Sequence, residues 1–457
     1  MKLTQKQVQH LLWRAGLFDQ YHNIQLYENQ DVTIVWKELQ KASEQFKPIK
    51  VADQNQINFQ AVRMMSKEEK KNLMKQSREL TKELNKKWLD EMIQTNAVIR
   101  ERMSLFWHNH FACTSKNVFF LQSYLNTIRK HALGNFRDML FAASKEPAML
   151  QYLNNQQNRK RKPNENFARE VMELFTIGRG NYTEEDVKNA ARAFTGWSFT
   201  QEGKFILRSR QHDEGSKTIF DKTANYSGEE VLEILLSKKE TALRVVGKLY
   251  RYLVNDRVDE EKVTELANYF YDENYDISKL LTRIFTADWF YEEANIGAKI
   301  KSPVDLLIGV CRSMGVTFDN ADGPLFIQKH LGQMLLKPPN VAGWPGGKDW
   351  IDSSTLIFRT RLVEMVLLAS EVEIRQKSSG DVNDQFKLGR LKKLGANVNV
   401  SNTFQYLVGM GYEDRDQQYG QYMLQTHIPE FAGGENIQNP MLRSLVRICR
   451  SPEYQMC

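Results

Sequence analysis

The sequence predicts a mainly α-helical, multi-helical globular protein with a small β-hairpin insertion. Three observations predict it. Apolar residues recur at spacings of three and four through most of the chain. Only 11 prolines occur in 457 residues, too few for a loop-rich sandwich. Residues 196–222 alone switch to a β-prone, turn-punctuated pattern. The length suffices to bury a large core, and 41% hydrophobic, 11% aromatic and 26% charged residues belong to an ordered, soluble chain.

In chain order, Val8, Leu11, Leu12 and Ala15 share one face of a first helix that Gly16 stops. Residues 66–112 carry a long helical pattern. Its first part, "SKEEKKNLMKQSRELTKELNKKW", mixes charge signs at spacings of three or four, as a solvated helix does. It then runs into "LDEMIQTNAVIRERMSLFWHNHF". Helical periodicity continues through 120–153, 164–178, 183–195, 228–255, 260–272, 277–291, 302–315 and 355–374. Trp197 to Thr200 and Lys204 to Leu207 flank a Gln-Glu-Gly turn, which predicts the hairpin. "KPPNVAGWPGGKDW", residues 337–350, is too rich in Pro and Gly for a helix and predicts a shaped loop. The stretches "LFAASKEPAM" at 140, "IFTADWFYEE" at 284 and "ICRSPEYQMC" at 448 repeat one capping pattern without a regular period. The chain therefore divides into a main helical domain at 1–375, with the hairpin inserted at about 196–222, and a looser C-terminal extension at 376–457. The extension ends in a helix, Met441 to Arg450, packed on the main domain.

Lys plus Arg exceed Asp plus Glu by 63 − 56, or +7, partly through "NRKRKP" at 158–163. Without a continuous basic stripe or a recognisable module, nucleic acid is not an expected partner. Cys113, Cys311, Cys449 and Cys457 lie far apart without C-x-x-C spacing, so free thiols are expected rather than a zinc knuckle or a disulfide framework. The N-terminus lacks an apolar core with a small-residue cleavage site, and no stretch of 18 apolar residues occurs. The sequence as given points to a cytoplasmic protein with no membrane span.

Four segments carry candidate chemistry. In "WHNHF", His108 and His110 sit about 200° apart on a helix, so they face opposite ways and do not chelate together. One core and one partly exposed histidine are expected. In "PNENFAREVMELFTIGRG", Phe167, Val171, Leu174 and Phe175 form an apolar face, with Glu165, Arg169 and Glu173 opposite. Exposed, those charges form a ladder worth a few tenths of a kcal/mol per pair. Enclosed by another element, Glu165, Glu170 and Glu173 become candidates for acid/base work or cation binding. "RSRQHDEGSKTIF" gathers Arg210, His212, Asp213 and Lys217, either as a charged turn or as a grip on an anion. The loop at 337–350 offers Asn340 and Trp344 as a polar and aromatic platform, with Asp352 or Ser353 capping the next helix.

The reading that joins these segments is one shared cleft. Glu165, Glu170, Glu173, His108, His110, His212 and Asp213 would be its catalytic groups, and Arg169, Arg210, Lys217, Asn340 and Trp344 its substrate contacts. That describes an acid/base or metal-assisted hydrolase acting on an anionic or polyhydroxylated substrate, with a divalent metal of unspecified identity in the second case. The alternative is a non-catalytic helical scaffold whose polar motifs fix packing.

"HLLWRAGLF", "WHNHF", "NENFAREVMELFTIGRGNYTEEDVKNAARAFTGWSF", "RQHDEGSKTIF", "KIKSPVDLLIG" and "PPNVAGWPGGKDWI" occur in this order. Together they resemble the bacterial family of domain of unknown function 1800 over nearly the whole length. The resemblance implies no reaction. It implies an extracytoplasmic setting and a partner from the domain of unknown function 1501 family, which is similar to sulfatases and alkaline phosphatases. The chain departs from its relatives in showing no evident signal peptide. It also carries Phe175 where many have the histidine of "ELHTLG", which weakens the metal-assisted branch.

Overall fold

Helix starts in this chain are set by short polar side chains. Thr4, Ser66, Thr183, Ser227 and Ser302 each close a reciprocal capping box with the residue three positions on. The computed structural model describes residues 1–17, 21–53, 65–367, 396–397, 446 and 449–457. Among them are seventeen α-helices against three two-stranded antiparallel pairings, so the protein is mainly α with small β insertions.

The helix Val98–His110 organises the rest. It is buried on every side, Val98 through His108 and His110 included. A helix enclosed all round shows little amphipathic pattern. On one side lies a core built from Gln5–Ala15, Val32–Ser43, Phe136–Lys145, Gly228–Leu236, Lys239–Leu253, Glu260–Asp272 and Ile277–Phe285. On the other lies a second core from Lys67–Gln94, Pro303–Met314, Asp322–Leu331 and Ser353–Leu367. The central helix and its neighbour Val118–His131 contribute to both. Its buried carboxylate is paired: Glu101 takes Arg129 Nη2 at 2.7 Å and the Trp88 indole N–H at 2.9 Å, tying three helices at one fully enclosed carboxylate. An enclosed charge is tolerated only with such satisfaction.

The predicted hairpin forms, with Trp197↔Leu207 and Phe199↔Phe205 in register. Three expectations need correction. A second hairpin follows, Lys217–Ile219 against Lys222–Ala224. Its turn places Phe220 and Asp221 at φ +46° and +63°, the left-handed pair a tight hairpin needs, without the Asn-Gly signal that normally reveals it. The pattern over 66–112 splits into Lys67–Gln94 and Val98–His110. Arg312 Nη1, from a distant helix, donates to the carbonyls of Met92, Ile93 and Thr95 and so ends the first. The predicted helix 164–178 is an α-helix only over Asn166–Glu170, and it widens to a π-turn at Val171–Phe175.

The capping echo is not borne out: Phe136–Lys145 gives way at Pro147 to a new short helix and Ile277–Phe285 to a 3₁₀ turn at Asp288–Tyr291, and neither new element has a side-chain cap. Most of the C-terminal extension and of the helix 441–450 lies outside the described residues. The described parts contact the main body: Ala396–Asn397 pair with Thr317–Phe318, Arg450 pairs with Glu364, and Ile300 bridges Met456. Among the described residues no helix is long and apolar enough to cross a membrane.

Candidate functional site

The two histidines of "WHNHF" do face opposite ways, but both are buried, which corrects the expectation that one is partly exposed. His108 is covered by rings from remote segments: Trp344 stacks on it at 5.5 Å, Trp88 at 5.3 Å and Tyr124 edge-on at 5.7 Å. Burial pushes its pKa down to about 4, which keeps the imidazole neutral. Asn109, between the two, accepts the Trp344 N–H at 2.6 Å. Gly343 permits this docking. It sits at φ +89°, and a Cβ there would lie 2.1 Å from Asn109 Oδ1. The 337–350 loop is thus pinned to the core through Trp344, whereas Asn340 is exposed and its Oδ1 takes the Ala342 N–H. Asp352 is the cap of the following helix, accepting from Ser354 N and Thr355 N.

His110 points to the π-turn. Its Nε2 lies 3.1 Å from the Phe175 carbonyl, so Nε2 carries the proton, and Nδ1 faces Lys248 Nζ at 3.4 Å. Lys248 also donates to the Leu174 carbonyl at 3.0 Å. The last carbonyls of this helix are therefore satisfied from the side: Val171 by Thr176 Oγ1, Met172 by Gly178 N, Leu174 by Lys248 and Phe175 by His110. Burial beside Arg244 lowers the Lys248 ammonium to about 7, and burial with Lys248 nearby holds His110 well below its usual range.

One helical turn before Lys248, Arg244 lies across Gly178, whose φ is +87° and whose absent Cβ leaves room for the guanidinium. Burial lowers its pKa, while Glu173 and Tyr182 raise it, and its Nε is enclosed without a hydrogen-bond partner. Tyr182 Oη donates to Glu173 Oε2 at 2.5 Å. Burial, then Glu173 one turn on, raises Glu170. The structure thus gathers Glu170, Glu173 and His110 with Tyr182, Arg244 and Lys248, and the last three escaped sequence reasoning. A signal existed: Lys248 falls inside the apolar stripe Thr241, Val245, Leu249 and Tyr252 of Lys239–Leu253, where a cation is out of pattern.

The other candidates sit in separate bonded networks. Arg169 bridges Glu165 and Glu184 on the partly exposed face of its helix, a ladder joined across to the next helix. His212 Nδ1 donates to the Thr195 carbonyl at 2.8 Å, and Asp213 pairs with Arg192 at 2.8 Å, which lowers its carboxyl. Lys217 is buried, with Nζ donating to Gly215 O and Asn225 Oδ1, while Arg210 is exposed. Among the described residues no hydrogen bond or ring contact joins the His212 turn to His110 or Trp344. His212 is held within its own turn through Nδ1.

Among the described residues no group of three or more His, Cys, Asp or Glu side chains is placed to hold a metal ion. Beside His110, where the metal reading looked for a further histidine, the Phe175 ring packs at 6.1 Å. The residues present do not fit a metal centre there. No curated protein and no solved structure matches the chain. A family model matches residues 10–456, and the chain belongs to the family described as Protein of unknown function (DUF1800).

Proposed function

We propose that the π-turn cluster is an acid/base site for an anionic substrate, with hydrolysis as the reaction class. One observation carries this reading. Arg244 and Lys248, a turn apart on one helix, are half-buried near Glu173, which Glu170 neighbours in turn, without a salt bridge to either carboxylate among the described residues, and Arg244 keeps an enclosed, unused Nε–H. Two adjacent half-buried cations repel each other, so an arrangement that keeps them together is one an anion relieves. Arg244 would hold the substrate anion. Lys248, about half neutral near pH 7, would take a proton from the attacking water, and Glu170, its carboxyl raised by burial, would supply one to the leaving group.

The test is turnover of p-nitrophenyl phosphate, sulfate and acetate by the full chain, compared with Lys248→Met and Glu170→Gln. The reading expects activity that rises through about pH 7 and falls at least 100-fold in each variant. Equal rates in wild type and both variants overturn it.

A second reading has its own observation. Lys248 and His110 both cap carbonyls at a helix end, and Arg169, Asp213 and Lys217 are all internally paired. That supports a non-catalytic helical scaffold, for instance one serving a phosphatase- or sulfatase-like protein of the domain of unknown function 1501 family in an extracytoplasmic compartment. Co-purification of such a partner with an inactive chain would favour it.

A further inference from the structure

The basic run "NRKRKP" takes no part in the π-turn site, yet the fold gives it a basic neighbour. Residues 154–163 and 203–212 together hold seven Lys and Arg and no Asp or Glu, which equals the formal excess of the whole chain, +7. The rest of the molecule is formally balanced, so its excess charge sits in these two segments. Arg159, Lys160, Arg161 and Lys162 form a turn whose ends bridge each other. Lys204, Arg208 and Arg210 run from the first hairpin into a 3₁₀ turn at Ser209–Gln211. All seven are exposed.

Backbone bonds join the two segments into one surface. Lys160 N donates to the Gln211 carbonyl at 2.8 Å. Gly196 N donates to the Asn158 carbonyl at 3.0 Å, and the Gly196 carbonyl takes the Arg208 N–H at 2.8 Å. Gly196 makes that approach possible: at φ +81°, a Cβ there would lie 2.8 Å from the Arg208 carbonyl oxygen. Among the described residues none of the seven cations is in an ion pair. The nearby carboxylates are engaged elsewhere, Glu165 with Arg169 and Asp213 with Arg192.

Clustered like charges repel one another, and an oppositely charged partner relieves them. Leu207, 47% exposed, stands between Lys204 and Arg208 and adds an apolar point to the basic field. A single-stranded nucleic acid would need open rings to stack on. Here Trp197 is buried and the Lys145 ammonium lies over the half-buried Phe205 ring at 5.3 Å. Exposed cations around one exposed apolar side chain suit the anionic head groups and acyl boundary of a lipid surface.

We propose that the 159–162 turn and the 204–210 segment form a docking surface for an anionic membrane. It shares no residue with the π-turn cluster and does not depend on that site's activity.

The experiment is co-sedimentation of the full chain with vesicles of phosphatidylglycerol and phosphatidylcholine in equal parts, against phosphatidylcholine alone. Binding to the anionic vesicles only is expected, and it should vanish at about 1 M salt, where charges are screened beyond about 3 Å. Each cation at such a surface strengthens binding about fivefold, so Arg161→Gln with Lys162→Gln should weaken it at least tenfold. Arg208→Gln with Arg210→Gln, on the other segment, should do the same. Lys70→Gln with Lys71→Gln, on the solvated helix Lys67–Gln94, removes equal charge and should leave binding unchanged. No binding to the anionic vesicles, equal binding to phosphatidylcholine, full binding in either patch variant, or an equal loss in the Lys70 and Lys71 variant would each overturn the proposal. Retention by duplex DNA or heparin without retention by vesicles would assign the patch to another polyanion and overturn it too.

Discussion

Replacing Lys248 by Met should make the protein more stable at neutral and acidic pH. The ammonium falls from 10.5 to about 7 in the folded chain. Below about pH 7 both folded and unfolded states hold the proton, and the folded state bears the whole cost of enclosing it. Between about 7 and 10.5 the unfolded state binds more protons, so wild-type stability climbs with pH until both states are neutral. The full shift corresponds to about 5 kcal/mol at about 1.4 kcal/mol per unit, an upper bound because the side chain keeps some solvent contact. Halving it for that contact and subtracting about 1 kcal/mol for the lost bond to Leu174 O leaves a net gain of about 1–2 kcal/mol near pH 6. Above about pH 10.5 the gain is gone and the variant is weaker by that hydrogen bond. Guanidinium chloride unfolding of both proteins at about pH 6, 8 and 10.5, read by circular dichroism, tests the curve. A difference that does not change with pH, or a variant less stable at every pH, would refute the reasoning.

Glu101→Gln strands Arg129 inside the molecule and should cost about 3–5 kcal/mol, read as a lower denaturation midpoint with an unchanged slope. Gly343→Ala should cost about 2–3 kcal/mol, since the new Cβ meets Asn109 Oδ1 and the backbone stays at φ +89°. Trp344 would then leave His108, visible as a changed near-ultraviolet dichroism band. Asp352→Ala should remove about 1 kcal/mol of capping. Backbone N–H bonds from Thr355 hold the Asp352 carboxyl down at about 2, so that contribution is complete above the ordinary carboxylate range. It is lost as pH falls toward about 2, where variant and wild type should unfold alike.

Periodicity made the helical architecture legible, because most helices here are amphipathic over one core, Ile277–Phe285 being a clear instance. It found Val98–His110 only as part of one long helix over 66–112, because a helix that two cores enclose has no amphipathic stripe to mark it off. Spacing alone gave the opposed directions of His108 and His110. It could not give the burial of His108, which depends on Trp88 and on Trp344, the latter more than 200 residues away. Glu165 and Arg169 form the ladder that spacing left open as one alternative, and the shorter contact, to Glu184, comes from the next helix. Glu170 and Glu173 were nominated from their own helix, whereas Arg244 and Lys248 came to them from another segment, a pairing that local pattern does not encode. Turn chemistry hid the second hairpin, since Phe-Asp is an unusual pair for two left-handed residues.

The most direct measurement is a pH titration of the lysine ¹³Cε resonances in the labelled full chain, with the Lys248 signal assigned by its loss in Lys248→Met. The account predicts a midpoint near 7 that moves upward when an anionic substrate analogue is added, as a nearby negative charge favours the ammonium. A midpoint at the ordinary lysine value, or one that no anion displaces, would contradict it.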